Sequence, residues 1–243
     1  MTTNKPAASK PAAIFWDMDG TLTDSEPLWA EATYFLSEQM GRRLTPTERL
    51  ATVGATFSTT FRYCAQVAGI KAPVELEEDY RRAMFEYTKE LFSQRLEVFP
   101  GIRDLLAQFG ADGIPMMVTT NTERNVADAA IDAVGREHFV DTICGDEVEH
   151  GKPAPDMYRE AARRLGLDPA QCLVFEDSAT GMRAAVDAGC RVIGLPADES
   201  VEVPREVSTI AELYRSAHLD GVQAVDVYGW FGQISWVGNT VRS

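Results

Sequence analysis

This 243-residue sequence is short of positive charge. It contains 23 lysines and arginines against 37 aspartates and glutamates, which gives a formal net charge of −14. Nucleic acids and anionic membranes are bound through clustered basic side chains, so this balance argues against either of them as a partner. It does not exclude a small phosphorylated ligand, because a metal ion, one lysine and backbone N–H groups can supply positive charge locally.

Cysteine and histidine are also scarce. The 4 cysteines lie far apart with no CxxC pair, and the 3 histidines show no ligand spacing, so zinc is not expected. Isolated cysteines of this kind are typical of reduced intracellular thiols. No apolar run is long enough to span a bilayer, and residues 1–11 lack the apolar core of a signal peptide, so they are expected to form a flexible leader. The sequence therefore predicts a cytoplasmic protein.

What the sequence does contain is a pair of acids directly after an apolar strand. Ala12 to Trp16 are typical of a buried strand, and Asp17 and Asp19 follow it. Because side chains alternate along an extended chain, both carboxylates are expected on one side, and Gly20 allows the chain a sharp exit. Adjacent carboxylates repel each other unless a cation or proton separates them, and Mg²⁺ suits such hard oxygen ligands. A surface turn is the alternative for an Asp-Gly pair.

The following segment has a helical character. Apolar residues recur at helical spacing after Ser25, a capping-box sequence begins at Thr45, and a charged helix is predicted from Glu75 to Arg95. A polar loop is expected over residues 54–60. Because no convincing strand interrupts this segment, residues 26–97 are predicted to form an inserted all-helical cap domain.

From residue 98 onward, predicted strands and helices alternate. This pattern implies a parallel sheet with helices on both faces, whose site lies at the carboxyl ends of the strands. Residues 12–25 and 98–215 are therefore predicted to form an α/β core domain. Residues 216–243 are predicted to be a C-terminal extension that packs against the core and carries no site.

Two polar segments of the core follow in order. The strand ending in VTTNTER presents Thr120 and Asn121, where a hydroxyl and N–H groups can hold phosphoryl oxygens, whereas Thr119 should point to the other side of the strand. A helix N-cap is the alternative for this segment. Further on, GKPAPD presents Lys152 between glycine and proline, and a solvated surface charge is the alternative there.

A third polar segment, VFEDSATG, follows the next strand. Glu176 and Asp177 place two more acids at the carboxyl end of a strand. Asp177 is expected to bind the metal directly, and Glu176 is expected to stabilise the site without contacting the metal. The alternative is an acidic helix start, which the helix dipole favours.

The order and spacing of these segments resemble the signature motifs of the haloacid dehalogenase-like (HAD) hydrolases, over roughly residues 12 to 200. DMDGTLTDSE is similar to the motif that carries the aspartate nucleophile of that superfamily. The resemblance implies a Rossmannoid parallel sheet with an inserted helical cap. The helical segment resembles the small cap of the subfamily that contains phosphoglycolate phosphatase, sugar phosphatases and β-phosphoglucomutase.

The resemblance also implies a role for each residue. Asp17 would attack phosphorus to form an aspartyl-phosphate, and Asp19 would act as general acid and then general base. Thr120 and Lys152 would complete a clamp around the phosphate. The metal, Mg²⁺, would be held by Asp17, Asp19 and Asp177. An acid at position 19 favours a phosphate ester as substrate, because a departing alkoxide needs a proton.

The expected substrate is a small phosphorylated metabolite, such as a sugar phosphate, bound by a monomer. Its expected contacts are Gly20 and Asn121 in the core, with Trp29 and Thr56 in the cap. The cap is expected to close on hinges near residues 23–25 and 99–101.

A β-phosphoglucomutase-like mutase is the alternative reaction. Trp29 stands where a mutase carries histidine, and Val53 and Phe57 fall where a mutase has basic residues, so a phosphatase is favoured. A non-catalytic binding protein on the same scaffold is a further alternative, although every catalytic position is filled.

Overall fold

A computed structural model describes residues 10–71 and 74–234 of the chain. The predicted leader and the predicted C-terminal extension therefore lie partly outside the described residues. Each described helix is too short or too polar to cross a membrane.

Short apolar runs form the strands of a central parallel sheet. The described strands are β1 (Ala13–Trp16), β2 (Thr23–Asp24), β3 (Glu97–Val98), β4 (Met116–Thr119), β5 (Asp141–Ile143), β6 (Cys172–Glu176), β7 (Arg191–Gly194) and β8 (Ser208–Thr209). Among the described residues, six of them pair in the order β5-β4-β1-β6-β7-β8, while β2 and β3 form a separate antiparallel pair. Successive strands are added on opposite sides of β1, so the sheet has its switch point beside that strand.

The helices occupy two parts of the chain. Between β2 and β3 lie α1 (Glu26–Gln39), α2 (Pro46–Leu50), α3 (Phe57–Ala68) and α4 (Glu77–Arg95). After β3 come α5 (Ile102–Ala111), α6 (Arg124–Val134), α7 (Asp156–Leu165), α8 (Ala179–Ala188), α9 (Ile210–Tyr214) and α10 (Ala224–Phe231). Glycines in the left-handed conformation end α3, α6, α7 and α8, as is common at helix C-termini.

Side-chain alternation along β1 divides the core into two layers. Ile14 and Trp16 face a cluster that includes residues of α5, α6 and α10, and Trp16 stacks on Phe175 with ring centroids 4.2 Å apart. Ala13 and Phe15 face a second cluster that includes residues of α7 and α8. The predicted fold class, a parallel sheet with helices on both faces, is confirmed.

The segment between β2 and β3 is helical, as predicted. The prediction of a polar loop over residues 54–60 is wrong for the second half of that range. Thr56 caps α3, which begins at Phe57. The sequence analysis also missed β2 and β3, whose antiparallel pairing joins the entry and exit of this segment. The assignment of residues 26–97 to a separate cap domain remains a prediction.

The described part of the C-terminal extension packs on the core. Leu219, Val227 and Phe231 are buried, and the Tyr228 hydroxyl donates a 2.7 Å hydrogen bond to Asp112 Oδ2 after α5. The chain near Leu219 also lies against Gly101, where α5 begins. The extension thus contacts α5 at both of its ends.

We expect Gly101→Ala to destabilise the fold more than Gly113→Ala. Both glycines are left-handed, with φ of +83° and +71°, so each substitution carries a backbone penalty of about 1–2 kcal/mol. A Cβ at Gly101 would also lie 2.4 Å from the Leu219 carbonyl oxygen, whereas one at Gly113 meets no atom within 4 Å. This overlap should remove about 1–3 kcal/mol more from the free energy of unfolding. Urea denaturation measures both, and equal losses would contradict the described packing near Leu219.

Candidate active site

The polar residues at the carboxyl ends of three neighbouring strands meet at one edge of the sheet. Asp17 follows β1, Thr120 follows β4, and Glu176 and Asp177 lie at the end of β6. Because β1 pairs in parallel with both β4 and β6, these ends are adjacent. The edge coincides with the switch point of the sheet, where α/β proteins bind their ligands.

A buried lysine lies at the centre of this edge. Lys152 Nζ is 2.6 Å from Asp17 Oδ1, 2.5 Å from Glu176 Oε1 and 2.9 Å from the Thr119 carbonyl oxygen. Lys152 is only 8% exposed, so it is not a solvated surface charge. Burial by itself lowers the pKa of Lys152, but Asp17 and Glu176 outweigh that effect and hold the pKa well above its usual value. The lysine therefore stays charged.

Asn121 fixes the backbone that carries this lysine. Its side-chain Oδ1 accepts a 2.8 Å hydrogen bond from Lys152 N, and its Nδ2 donates one of 3.1 Å to Lys152 O. A turn closed by Ala154 N–H and the Gly151 carbonyl oxygen surrounds the lysine. The amide of Asn121, expected to contact the substrate, is thus engaged with the lysine turn.

Three carboxylates form a cluster beside the lysine. One oxygen of each of Asp17, Glu176 and Asp177 lies within 4.8 Å of the others. Glu176 is fully buried and accepts hydrogen bonds from Lys152, from the Tyr158 hydroxyl at 2.8 Å and from Ser178 Oγ at 3.1 Å. Because neighbouring side chains occupy Glu176 in this way, Asp17 and Asp177 are better suited to bind a metal directly.

Gly20 permits Asp177 to reach this cluster. The glycine has φ of +86°, and a Cβ on it would lie 2.2 Å from Asp177 Oδ2. Only glycine fits both the backbone conformation and the close approach. The substrate contact expected of Gly20 is untested, and the structure gives the residue this steric role.

The three carboxylates of the cluster carry more negative charge than the ammonium group of Lys152 balances. Burial, reinforced by Glu176, raises the pKa of Asp177 to about 7. Burial and Glu176 also raise the pKa of Asp17 well above its usual value, although Lys152 opposes them. Three carboxylates face one ammonium group, and hard oxygen donors of this kind suit a divalent cation. The residues present therefore fit a metal ion held by Asp17 and Asp177.

Asp19 lies outside this cluster and has a hydrogen-bond environment of its own. Its Oδ1 accepts from Ser25 Oγ at 2.6 Å and from Trp29 Nε1 at 3.0 Å. Its Oδ2 accepts from Thr122 Oγ1 at 2.7 Å and, more weakly, from Thr120 Oγ1 at 3.4 Å. Four donors therefore surround this carboxylate: one from the residue before α1, one from α1 and two from the segment after β4.

The expectation that Asp19 shares a metal site with Asp17 remains a prediction, but the Asp19 carboxylate is not part of the cluster. Strand alternation applies only as far as Trp16, where β1 ends. The carbonyl oxygen of Met18 then accepts hydrogen bonds from the N–H groups of Leu22 at 3.0 Å and Thr23 at 3.1 Å, so the chain turns back on itself. This turn separates Asp19 from the cluster that contains Asp17.

Comparison with known proteins places the chain in a family. The model of the haloacid dehalogenase-like hydrolases matches residues 11–189. The chain belongs to this family. The match confirms the resemblance found in the sequence, and the curated phosphatases among its relatives make it an enzyme of the phosphoric monoester hydrolase class.

Three relatives of this HAD-like hydrolase illustrate the similarity. A phosphorylated carbohydrates phosphatase of Thermotoga maritima is 31% identical over 185 residues, which cover 75% of this chain and 84% of that protein. The crystal structure of CbbY from Rhodobacter sphaeroides in complex with phosphate is 29% identical with a TM-score of 0.72, covering 82% and 92% of the two chains. A putative β-phosphoglucomutase from Thermotoga maritima is 26% identical with a TM-score of 0.66, covering 92% and 99%.

Trp29 and Thr56, the two residues of the helical segment expected to contact substrate, have different environments in this hydrolase. Trp29 is half-buried and uses its indole N–H on Asp19. Thr56 is exposed, and its hydroxyl accepts the Thr59 N–H at 3.3 Å as the cap of α3. Thr119 points away from the site, as expected, and donates to the Trp16 carbonyl oxygen at 3.3 Å.

Sequence reasoning missed two residues of the site. Thr122 follows Thr120 by two positions in VTTNTER, and this spacing was an available signal that it shares the same side. Tyr158 is fully buried on α7 and reaches Glu176 across the core layer. Nothing in the local sequence distinguishes this tyrosine from an ordinary core residue.

We expect Asp177→Asn, but not Asp19→Asn, to weaken the affinity for a divalent cation. Asp177 belongs to the carboxylate cluster, so its loss should weaken binding of a divalent cation by at least about tenfold. The oxygens of Asp19 are occupied by other donors, so its loss should leave the affinity unchanged. Titration with Mn²⁺ as a paramagnetic probe, followed by electron paramagnetic resonance, measures both constants. Equal weakening by the two variants would make the Asp19 carboxylate a direct ligand.

Proposed function

We propose that this hydrolase is a Mg²⁺-dependent phosphatase that acts on a small phosphorylated metabolite, such as a sugar phosphate, through an aspartyl-phosphate. The main supporting observation is the separation of two carboxylates on one loop. Asp17 is buried 2.6 Å from Lys152, whereas Asp19 lies among hydroxyl and indole donors. The first arrangement suits a nucleophile, and the second suits an acid that exchanges protons. The Thermotoga relative named as a phosphatase of phosphorylated carbohydrates supports the substrate class.

In the first half of the reaction, a carboxylate oxygen of Asp17 attacks phosphorus in line with the ester oxygen. The new oxygen–phosphorus bond forms as the ester bond breaks, and Asp19 gives its proton to the departing alkoxide. Lys152 holds Asp17 in orientation and balances its negative charge. The products of this half are an alcohol and an aspartyl-phosphate.

In the second half, Asp19 is a carboxylate and takes a proton from water as that water attacks phosphorus. The bond between Asp17 and phosphorus breaks, which releases inorganic phosphate and restores both residues. Mg²⁺ held by Asp17 and Asp177 would neutralise charge on the phosphoryl group.

Thr120 is the proposed contact for a phosphoryl oxygen. It is 1% exposed, and its N–H donates to the Ile143 carbonyl oxygen at 3.0 Å, so its backbone is already engaged in the sheet edge. Its hydroxyl accepts the Thr122 N–H at 3.0 Å and lies 3.4 Å from Asp19 Oδ2. The hydroxyl therefore lies beside the acid and is the part of Thr120 that can reorient toward a phosphate.

We expect Asp17→Asn to retain less than about a hundredth of the wild-type rate, since loss of covalent catalysis normally costs far more than that. The amide neither attacks phosphorus nor binds a divalent cation well. Phosphate release from a panel of sugar phosphates, measured with Mg²⁺ and with EDTA, tests nucleophile and metal together. Wild-type activity should disappear in EDTA and return with Mg²⁺. Activity of Asp17→Asn above about a hundredth of the wild-type rate would contradict the assignment of Asp17 as the nucleophile. Full wild-type activity in EDTA would exclude a metal ion from the mechanism.

A mutase is the second candidate, because the fold resembles a putative β-phosphoglucomutase. A mutase needs an anion site in the cap for the second phosphate of its sugar bisphosphate. Val53 is exposed, and Phe57 packs among aromatic rings at positions where basic residues would be needed. Arg62, the candidate closest in sequence, is exposed and donates to the Ser58 carbonyl oxygen at 2.9 Å. The Arg81 guanidinium lies 4.9 Å from the centroid of the Phe57 ring, but it is paired with Glu123. These contacts favour the phosphatase.

We expect β-glucose 1-phosphate, where it is accepted, to yield glucose and inorganic phosphate. The physical reason is that Val53 and Phe57 stand where a mutase needs basic residues, so the aspartyl-phosphate is passed to water. Product analysis by ³¹P nuclear magnetic resonance, with sugar bisphosphate supplied as primer, distinguishes the reactions. Net accumulation of glucose 6-phosphate would establish the mutase and direct attention to Arg62 as its anion site.

A further inference from the structure

We propose that Tyr158 is a positioning residue that keeps the ammonium group of Lys152 beside the nucleophile. It acts through Glu176, by donating a hydrogen bond to the carboxylate oxygen that also accepts from the lysine. The inference rests on the proposed function, because it takes Asp17 as the nucleophile and Lys152 as the group that balances its charge.

The argument begins with the sharing of one ammonium group between two carboxylates. Lys152 Nζ has three N–H donors. It donates to Asp17 Oδ1 at 2.6 Å and to Glu176 Oε1 at 2.5 Å, and the third acceptor is the Thr119 carbonyl oxygen at 2.9 Å. Because the attraction between charges falls with distance, an ammonium group drawn toward Glu176 stabilises Asp17 and a phosphoryl group on it less.

Tyr158 weakens the attraction of Glu176 for the lysine. Its hydroxyl donates a 2.8 Å hydrogen bond to Glu176 Oε1, the same oxygen that accepts from Lys152. The positive end of the hydroxyl dipole offsets part of the charge on that oxygen, so the oxygen holds the ammonium group less strongly. Ser178 donates to the other oxygen, Oε2, through its hydroxyl at 3.1 Å and its N–H at 3.3 Å. The two residues therefore have different effects, and Tyr158 acts on the oxygen that the lysine shares.

The tyrosine is held firmly enough to maintain this contact. Tyr158 is fully buried and belongs to the core cluster that contains Phe15 of β1. Its ring also faces the lysine, with Nζ 5.3 Å from the ring centroid, a distance at which an aromatic face attracts a cation. Burial, reinforced by Glu176, raises the pKa of Tyr158 well above its usual value, so the hydroxyl keeps its proton and donates it.

The lysine and the tyrosine come from one short segment of the chain. Lys152 lies in the turn before α7, and Tyr158 lies in the first turn of α7, six positions later. The same segment therefore places the ammonium group and the hydroxyl that contacts one of its two carboxylate partners. The position of Lys152 thus depends on the packing of α7 against the sheet.

The test removes the hydroxyl of Tyr158 and keeps its ring. With p-nitrophenyl phosphate and saturating Mg²⁺, Tyr158→Phe should lower kcat about tenfold, the scale of one hydrogen bond to a charged group, and change KM less than about threefold. The reason is that Lys152 stabilises charge that develops during phosphoryl transfer, whereas substrate binding does not depend on the tyrosine. Rates are divided by the folded fraction measured by urea denaturation. An unchanged kcat, or a change confined to KM, would overturn the positioning role.

Tyr228→Phe is the matched control. It deletes a comparable hydrogen bond, from a buried tyrosine hydroxyl to Asp112 Oδ2 at 2.7 Å, outside the site. After the same correction for folded fraction it should leave kcat unchanged. An equal loss of kcat in the two variants would show that Tyr158 supports the fold in general, and would overturn its positioning role.

A rescue experiment tests the donated hydrogen bond itself. With 4-aminophenylalanine in place of Tyr158, an N–H donor replaces the hydroxyl and should recover most of the lost kcat. Should Tyr158→Phe not fold, 4-methylphenylalanine fills the space of the hydroxyl without donating and serves as the comparison. Equal kcat for the donating and the non-donating ring would overturn the role of Tyr158. Wild-type protein that releases no phosphate from any substrate would instead overturn the proposed phosphatase.

Discussion

The buried ammonium group of Lys152 is the interaction on which the rest of the site depends. Charges taken out of water are costly unless they are paired, and this lysine pairs with Asp17 and Glu176 at once. The pairing joins the ends of β1 and β6 to the turn before α7, and Asn121 fixes that turn to the segment after β4. One ammonium group does not balance three carboxylates, so the same arrangement that holds the site together also prepares it for a cation.

The second constraint is the turn at Met18, which gives neighbouring acids different environments. Asp17 lies in a buried ionic cluster, while Asp19 lies among hydroxyl and indole donors. Separate environments allow two carboxylates on one loop to take separate chemical roles. Because Trp29 comes from α1, the environment of Asp19 also depends on how the helical segment lies against the core. A further link between these parts is the ion pair of Arg81 on α4 with Glu123 before α6.

Much of the fold could be predicted from the sequence because its signals are local. Short apolar runs predicted core strands that alternate with helices, and apolar positions at helical spacing predicted the main helices. The elements that were missed are short. β2, β3 and β8 contain 2 residues each, too few to show a period, and α10 lies in an extension whose apolar residues had no clear pattern. Their structure depends on partners distant in sequence, such as the pairing of Thr23 with Val98.

At the site, the residue types at the strand ends could be predicted from the sequence. Asp17 and Asp177 were expected to meet because parallel topology brings the ends of neighbouring strands together whatever the details of the loops, and Lys152 was expected from the resemblance to the HAD motifs. The contacts of each group depend on the tertiary structure. Asp19 departs from strand alternation because a backbone turn redirects the chain, and Tyr158 reaches Glu176 from a helix 18 positions earlier in the chain. Hydrogen bonds of this kind depend on three-dimensional distances, which no local pattern of residues encodes.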